Sequence, residues 1–311
     1  MIDVSPKFKT LRWAMARGVI KIHPETIKRV AGKTVPKGDV LEVARAAGIS
    51  AAKRTADWIV FCHSMPIDWV EIDYEIGKGQ IAVNARVKSV WKTGVEMEAM
   101  TAVSAALLNI YDMLKPLDTE ISFSDVRLVK KTGGKSNFRE QFAKPLRAAV
   151  IVLSDSTHAG KRKDKSGVLI RDYLREKGMD TFAYEILPDD ATKLKARLYA
   201  LADEDNADLI ITTGGTGFGP ADITPEATRE VIEKEAPGIV EAIRGYGKER
   251  TPYAMLARQT AGIRGTTLIV NLPGSSRGAK ESLDAIFPGI EHIFPMLWGG
   301  GHDEDRRWVK L

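Results

Sequence analysis

The sequence predicts two halves of different construction. The first is α+β, an antiparallel sheet with helices on one face. The second is α/β, a doubly wound parallel sheet. Three observations carry this. Trp69-Val70-Glu71-Ile72-Asp73-Tyr74-Glu75-Ile76 and Gln80-Ile81-Ala82-Val83-Asn84-Ala85-Arg86-Val87 alternate apolar and polar residues around Gly77-Lys78-Gly79, the mark of a hairpin with one wet face. Beyond residue 147 the strands are continuously apolar, as in Ala148-Ala149-Val150-Ile151-Val152-Leu153, and alternate with helical segments, the pattern of parallel strands covered on both faces. Between the two styles, 137–144 is polar and patternless and Pro145 follows. This places a linker there and the domains at 1–146 and 147–311.

In the first half, Lys7, Lys9, Arg12 and Arg17 stand among apolar residues. Pro24-Glu25-Thr26 starts a short helix to about Val30, and 32–38 is a turn between glycines. Asp39 opens a helix through Ala52, rich in small residues that allow close packing. Ile59-Val60-Phe61-Cys62 reads as a short apolar strand ending at His63. A long helix spans 95–114 and stops before Pro116, and Val126-Arg127-Leu128-Val129 is a strand. In the second half strands are expected over 148–153, 181–187, 208–213 and 267–272. Helices are expected over 166–177, 190–201, 224–235 and 278–287, with a short one near His292. The stretch before Ala261 reads as irregular.

Composition narrows the function. With 44% hydrophobic and 28% charged residues the chain is globular, and its 311 residues suit two domains. No stretch is apolar enough for a membrane span and no signal pattern opens the chain, so a cytoplasmic protein without membrane partners is expected. One cysteine, Cys62, excludes an internal disulfide and leaves too few thiols for a zinc or iron–sulfur site. Residues 1–146 hold 23 Lys+Arg and 16 Asp+Glu, net +7, whereas 147–311 are net −2. A basic half with no like-charge run, basic arm or finger spacing points to a small polyanion rather than nucleic acid.

The most informative stretch is Thr212-Thr213-Gly214-Gly215-Thr216-Gly217-Phe218-Gly219-Pro220-Ala221-Asp222-Ile223-Thr224-Pro225-Glu226-Ala227. A buried strand, a glycine turn and a helix start, with Thr224 as N-cap and Pro225 at the first helical position, make an anion site. It is neither a dinucleotide fingerprint nor a P-loop, because Pro220 stands where each needs another residue. Asp222 is not required as a cap and is a candidate for a divalent ion beside a phosphate. Asp155, Asp189 and Asp190 also follow strands and would gather at the same edge; Asp155 and Asp190 are equally readable as helix caps. Ser154-Asp155-Ser156, Pro188-Asp189-Asp190 and Pro273-Gly274-Ser275-Ser276 are the neighbouring turns.

These motifs, with Asp164-Lys165-Ser166-Gly167 and Asn271-Leu272-Pro273-Gly274-Ser275, resemble those of the molybdopterin adenylyltransferase family (MogA, MoaB and the equivalent gephyrin domain) across 147–311. The resemblance implies Mg-ATP-dependent adenylylation of molybdopterin. It makes Asp189 and Asp222 catalytic and Mg²⁺-binding, and Ser154, Asp155, Gly214, Gly215, Thr216, Gly217, Pro273, Gly274 and Ser275 substrate- or nucleotide-binding. The family usually has Arg where Ala221 stands and often Pro at Ser276. A domain that only binds molybdopterin is the alternative.

In the first half Glu96 and Glu98 stand at a helix start, where the dipole favours negative charge. Asp112 and Lys115 lie one turn apart and face the same way. Glu98 and Asp112 are 14 positions apart, about 21 Å along a helix at ~1.5 Å per residue, so they cannot share a site within one straight helix: either they serve different ends, or a second subunit brings two helix ends together. His63 ends its strand as a candidate proton shuttle or phosphate donor. Lys130-Lys131-Thr132-Gly133-Gly134-Lys135-Ser136 is read as a flexible cationic loop. Its Gly-Lys-Ser is no P-loop, since Val129 occupies the first glycine position.

Met1-Ile2-Asp3-Val4-Ser5, Lys37-Gly38-Asp39-Val40, Ala51-Ala52-Lys53-Arg54-Thr55, Cys62-His63, 92–102 and Ile110-Tyr111-Asp112-Met113 resemble the cyclic pyranopterin monophosphate synthase (MoaC) family over nearly the whole half. The resemblance implies a ferredoxin-like fold and no redox cofactor. The implied reaction converts a cyclised dihydro-GTP to the pterin cyclic phosphate with release of pyrophosphate. It places catalysis on Lys37, His63, Glu96, Glu98, Asp112, Lys115 and Lys131, and substrate contacts on Lys53, Arg54 and Lys135. It also implies a site between subunits of a homo-oligomer, a hexamer or trimer. Ser64, Met65 and Trp91 depart from the family pattern.

Overall fold

The computed structural model describes residues 1–299 and 308–309. The chain forms two compact units, Met1–Asn137 and Phe138–Leu311.

The first unit runs β1 (Thr10–Lys21), α1 (Pro24–Ala31), α2 (Val40–Lys53), α3 (Thr55–Trp58), β2 (Trp69–Ile76), β3 (Gln80–Trp91), α4 (Glu96–Leu114) and β4 (Ser122–Thr132). The sheet order is β2-β3-β1-β4 and every pairing is antiparallel. With α2 and α4 on one face, this is the β-α-β-β-α-β ferredoxin-like arrangement. The central strand β1 pairs with β3 along its whole length, from Thr10 opposite Trp91 to Lys21 opposite Gln80. Its core face is Ala14, Ala16, Gly18 and Ile20, all small but the last. At Gly18 a Cβ would stand 2.7 Å from Val103 and Leu107, so α4 lies directly on the strand. The small residues of α2 serve the same end: a Cβ on Gly48 would meet the Ala102 carbonyl oxygen at 2.9 Å and Ile72 at 2.3 Å.

The expected strand at 59–62 does not form. Val60 and Phe61 are 82% and 76% exposed in the loop after α3, so their apolar character reflects no burial. His63 thus follows a loop. Nor is 130–132 a loop, because β4 continues through Thr132. Gly133 (φ +91°) is pinned under Thr10, whose hydroxyl donates to its carbonyl at 2.7 Å.

The second unit opens with β5 (Gln141–Phe142), inside the stretch read as a linker. It pairs with β12 (Trp308–Val309), while the Phe142 ring packs edge-on against Phe294 and Trp298. Between them run β6 (Arg147–Leu153), α5 (Asp155–His158), α6 (Ser166–Glu176), β7 (Asp180–Leu187), α7 (Ala191–Tyr199), β8 (Leu209–Thr213) and α8 (Thr224–Val231). Next come β9 (Lys234–Glu235), α9 (Pro237–Lys248), β10 (Ala261–Arg264), β11 (Thr267–Leu272), α10 (Ser276–Ile286) and α11 (Ile293–Leu297). The sheet order is β7-β6-β8-β11-β10-β9. The first four strands are parallel, as expected of a doubly wound sheet; β10 and β9 add an antiparallel edge. One core lies beneath α6, α9 and α10, and the other beneath α7 and α8. Helix α9 stands in the stretch read as irregular. The expected helix 224–235 ends at Val231, after which the chain extends into β9.

No helix among the described residues is long and apolar enough to cross a membrane. The α2–α4 contact gives a direct check of the first unit. Gly48→Val should lower its stability by about 2 kcal/mol or more, read by denaturant unfolding, because the neighbouring backbone carbonyl cannot yield as a side chain does.

Candidate functional site

Three parallel strands end side by side in the second unit, and their turns meet. Gly214, just past β8, takes φ +101°, and a Cβ there would stand 2.2 Å from the Leu153 carbonyl at the end of β6. Gly274, past β11, approaches so closely that its Cβ would lie 3.2 Å from the Gly214 Cα. Only glycine allows the first contact; at Gly274 a side chain would need its neighbour to yield by a few tenths of an ångström. These two contacts bring the turns after β6, β8 and β11 to one cleft of about 320 Å³, lined by Ser154, Thr213, Gly214, Gly274, Ser275 and Ser276. Arg162, Lys163 and Lys165, on the loop before α6, line its other wall. Sequence reasoning passed over Arg162 and Lys163 and met Lys165 only within the motif at Asp164; the run Lys161-Arg162-Lys163 was the available signal. None of them makes an ion pair among the described residues. Asp164 holds this loop in place, accepting from the Gly167 and Val168 amides at 3.0 and 3.1 Å and from the Tyr184 hydroxyl.

The carboxylates fall into distinct roles. Asp190 caps α7, accepting from the amides of Thr192 and Lys193. Ser154, not Asp155, caps α5. Asp155 and Asp189 lock together instead, each carboxylate accepting the other's amide at 3.0 Å. Burial raises the Asp189 carboxyl above its ordinary range, and the negative charges of Asp155 and Asp222 raise it further. Asp222 accepts from the Gly219 amide at 2.8 Å, inside the glycine turn. Neither Asp189 nor Asp222 lines the cleft, which reaches the turn only at Gly214; Gly215, Thr216 and Gly217 lie beyond it. Thr224 does not cap α8. Ile223 occupies the cap position with no side-chain bond, and the Thr224 hydroxyl donates back to the Gly214 carbonyl at 2.9 Å. This bond fixes the turn rather than the helix. No group of three or more His, Cys, Asp or Glu that could hold a metal occurs among the described residues. The Asp222 carboxylate is near enough for its negative charge to add to the upward shift of the Asp189 carboxyl.

In the first unit the expected residues form two clusters at opposite ends of α4. At its C-terminal end Asp112 accepts from Lys37 at 2.9 Å and Lys115 at 2.8 Å, and Lys37 also donates to the Asp112 carbonyl at 2.7 Å. The hydrogen bond from Lys115, then that from Lys37, brings the Asp112 carboxyl down to about 2, so it stays ionised through the physiological range. At the N-terminal end Lys131 pairs with Glu96 at 2.9 Å. Glu98 is 2% exposed there. Its Oε1 accepts from the Cys62 thiol at 3.8 Å, and its Oε2 has no partner. Burial foremost raises its carboxyl. His63 Nε2 lies 2.9 Å from the Ile2 carbonyl. Lys53 and Arg54 are exposed at the end of α2. The Lys135 side chain lies outside the described residues.

Comparison with known proteins follows the same division. Residues 1–134 match the MoaC family, and residues 149–292 match a domain described as a probable molybdopterin binding domain. A molybdenum cofactor biosynthesis bifunctional protein of Chlorobaculum tepidum is 42% identical over 97% of this chain and 96% of its own length. Its counterpart from Synechococcus elongatus is 38% identical over 97% and 98%. A cyclic pyranopterin monophosphate synthase of a Roseiflexus species is 49% identical over 44% of this chain and 87% of its own. The crystal structure of MoaB from Thermus thermophilus is 43% identical, covering 50% of this chain and 98% of its own, with a TM-score of 0.48.

Glu98 offers a sign-specific test. Its folded pKa is raised, so its stability contribution is present below the unfolded value and is lost as pH rises through the folded one. Glu98→Gln mimics the neutral acid. The melting temperature of the variant relative to wild type should therefore climb as the pH rises above the ordinary carboxylate range. A difference independent of pH would show that burial does not raise the Glu98 carboxyl.

Proposed function

The chain belongs to the bifunctional molybdenum cofactor biosynthesis proteins, and from that premise we propose that its two units catalyse two separate, non-consecutive steps of that synthesis. The first unit converts 3′,8-cyclo-7,8-dihydro-GTP to cyclic pyranopterin monophosphate and releases pyrophosphate. The second transfers AMP from ATP to the terminal phosphate of molybdopterin.

Cations matched to phosphates support both assignments. In the first unit Lys37 and Lys115 share one carboxylate, Asp112, leaving net positive charge for a triphosphate. Lys115 is then placed to move a proton while Asp112 remains its counter-ion. Glu96, with its partner Lys131, stands at the other end of α4, 16 positions along the helix from Asp112 and about 24 Å away at ~1.5 Å per residue. A complete site needs a second copy to bring two such ends together. A homo-oligomer, a hexamer or trimer, is therefore part of this reading.

In the second unit the observation that carries the proposal is the cleft where β6, β8 and β11 end, with the unpaired Arg162, Lys163 and Lys165 along one wall. Where this cleft meets the glycine turn, at Gly214, an oxygen of the molybdopterin phosphate attacks the α-phosphorus of ATP. A new P–O bond forms, and the bond to the β-phosphate oxygen breaks as pyrophosphate leaves. The cationic wall and the backbone amides of the glycine turn bind the phosphates and offset their mutual repulsion. Asp189 and Asp222 would hold Mg²⁺, which supplies charge neutralisation at the reacting phosphates.

Asp222→Asn keeps the hydrogen bond to Gly219 but removes the charge. Adenylyl-molybdopterin formation should fall by about two orders of magnitude, the scale of losing one key electrostatic group, while stability changes little. The assay is product formation against Mg²⁺ concentration. Near-normal activity with unchanged Mg²⁺ dependence would remove Asp222 from metal binding and favour a second unit that only binds molybdopterin.

A further inference from the structure

We propose that Arg258 is the positioning residue that gives the glycine turn its anion-receiving form, an inference that rests on the reading of that turn as a phosphate site. Arg258 lies 36 residues beyond Asp222, in the segment leading to β10, and every nitrogen of its guanidinium is engaged. Nε donates to the Gly217 carbonyl at 2.5 Å, Nη2 to the Asp222 carbonyl at 2.6 Å, and Nη1 to the Glu226 carboxylate at 2.5 Å. Its backbone amide donates to the Thr216 carbonyl at 3.0 Å. Three carbonyls of one turn therefore point to the same residue.

The peptide bonds of the turn are trans, so within each peptide unit the N–H points away from the C=O. With the carbonyls of Thr216, Gly217 and Asp222 turned to Arg258, the amides of Gly217, Phe218 and Ile223 are turned away from it. None of these three amides donates a hydrogen bond among the described residues. Backbone N–H groups left free on one side of a turn, with the carbonyls satisfied on the other, form an anion-binding concavity. The Asp222 carboxylate lies at its rim: a Cβ on Gly217 would be 2.8 Å from Asp222 Oδ2. The anion that fits is therefore one carrying a divalent cation. Arg258 does not reach the anion. It acts by holding the carbonyls back, a task that needs the planar fork of a guanidinium.

The test is hydrogen exchange of the full chain with and without magnesium pyrophosphate, read in peptides covering 214–223. The probe should protect the turn in the wild type. In Arg258→Lys the midpoint for protection should rise about tenfold or more, as an ammonium on one carbon stem lacks the planar fork that reaches two carbonyls and Glu226 in three fixed directions. Exchange in β6 should be unchanged, which separates this from general unfolding. In Arg258→Ala, free guanidinium ion should restore protection, and it decides the matter if the lysine variant folds poorly. A wild-type midpoint in Arg258→Lys, no rescue of Arg258→Ala, or an unprotected turn in the wild type would each overturn the proposal. AMP transfer is assayed alongside. Protection that depends on Arg258 in a wild type without AMP transfer would keep the positioning role and reject the adenylyltransferase reading.

Discussion

The second unit depends on one backbone contact, the approach of Gly214 to the carbonyl of Leu153 on one side and to Gly274 on the other. A side chain at Gly214 would push the turns after β6 and β8 apart, and one at Gly274 would crowd the turn after β8. The cleft, the cationic wall and the cap of α10 by Ser275 all use the space this contact defines. Its geometry is held from several directions: Thr224 bonds the Gly214 carbonyl, Thr213 bonds the Pro273 carbonyl at 2.8 Å, and Asp155 and Asp189 tie the β6 turn to the β7 turn. Hydroxyls and carboxylates that could have served as ordinary helix caps are used instead to fix one turn against another. The amides and cations are thereby left for a ligand.

The first unit solves a related problem differently. Its helix α4 is a long rod seated on a sheet face of alanines and glycine, and the charged residues are gathered at the two ends of the rod. Lys37 and Lys115 are half-neutralised by their one shared carboxylate, Asp112, while Lys131 pairs one-to-one with Glu96. Glu98 is the exception, a carboxyl buried with one oxygen unpartnered. Both units therefore keep charge in reserve where phosphate-bearing substrates are proposed to bind.

Much of this was legible in the sequence because it is local. The hairpin of β2 and β3, the long α4, and the parallel strands β6, β7, β8 and β11 each announce themselves by period or by a continuous apolar run. The misses have physical causes. β1 buries Ala14, Ala16 and Gly18, so its inner face looks no more apolar than its outer one. Val60 and Phe61 resemble a strand but lie exposed, since an apolar run carries no information about what covers it. Helix α9 carries Gly238, Gly245 and Gly247, which weaken its helical signature. The site motifs were readable, but their bonding was not. Thr224 sits where a cap belongs yet bonds Gly214, and Arg258 reaches the glycine turn from a distant segment that no local pattern connects to it.

Two separate phosphate chemistries are proposed for the two units of one chain. The most direct measurement is to incubate the purified full chain separately with cyclised dihydro-GTP, with cyclic pyranopterin monophosphate plus Mg-ATP, and with molybdopterin plus Mg-ATP, and to identify the products by mass. The account predicts cyclic pyranopterin monophosphate with pyrophosphate from the first, no conversion in the second, and adenylyl-molybdopterin with pyrophosphate from the third. Lys115→Ala should remove only the first of these conversions. Failure of the wild type to form either product, or loss of both in Lys115→Ala, would contradict it.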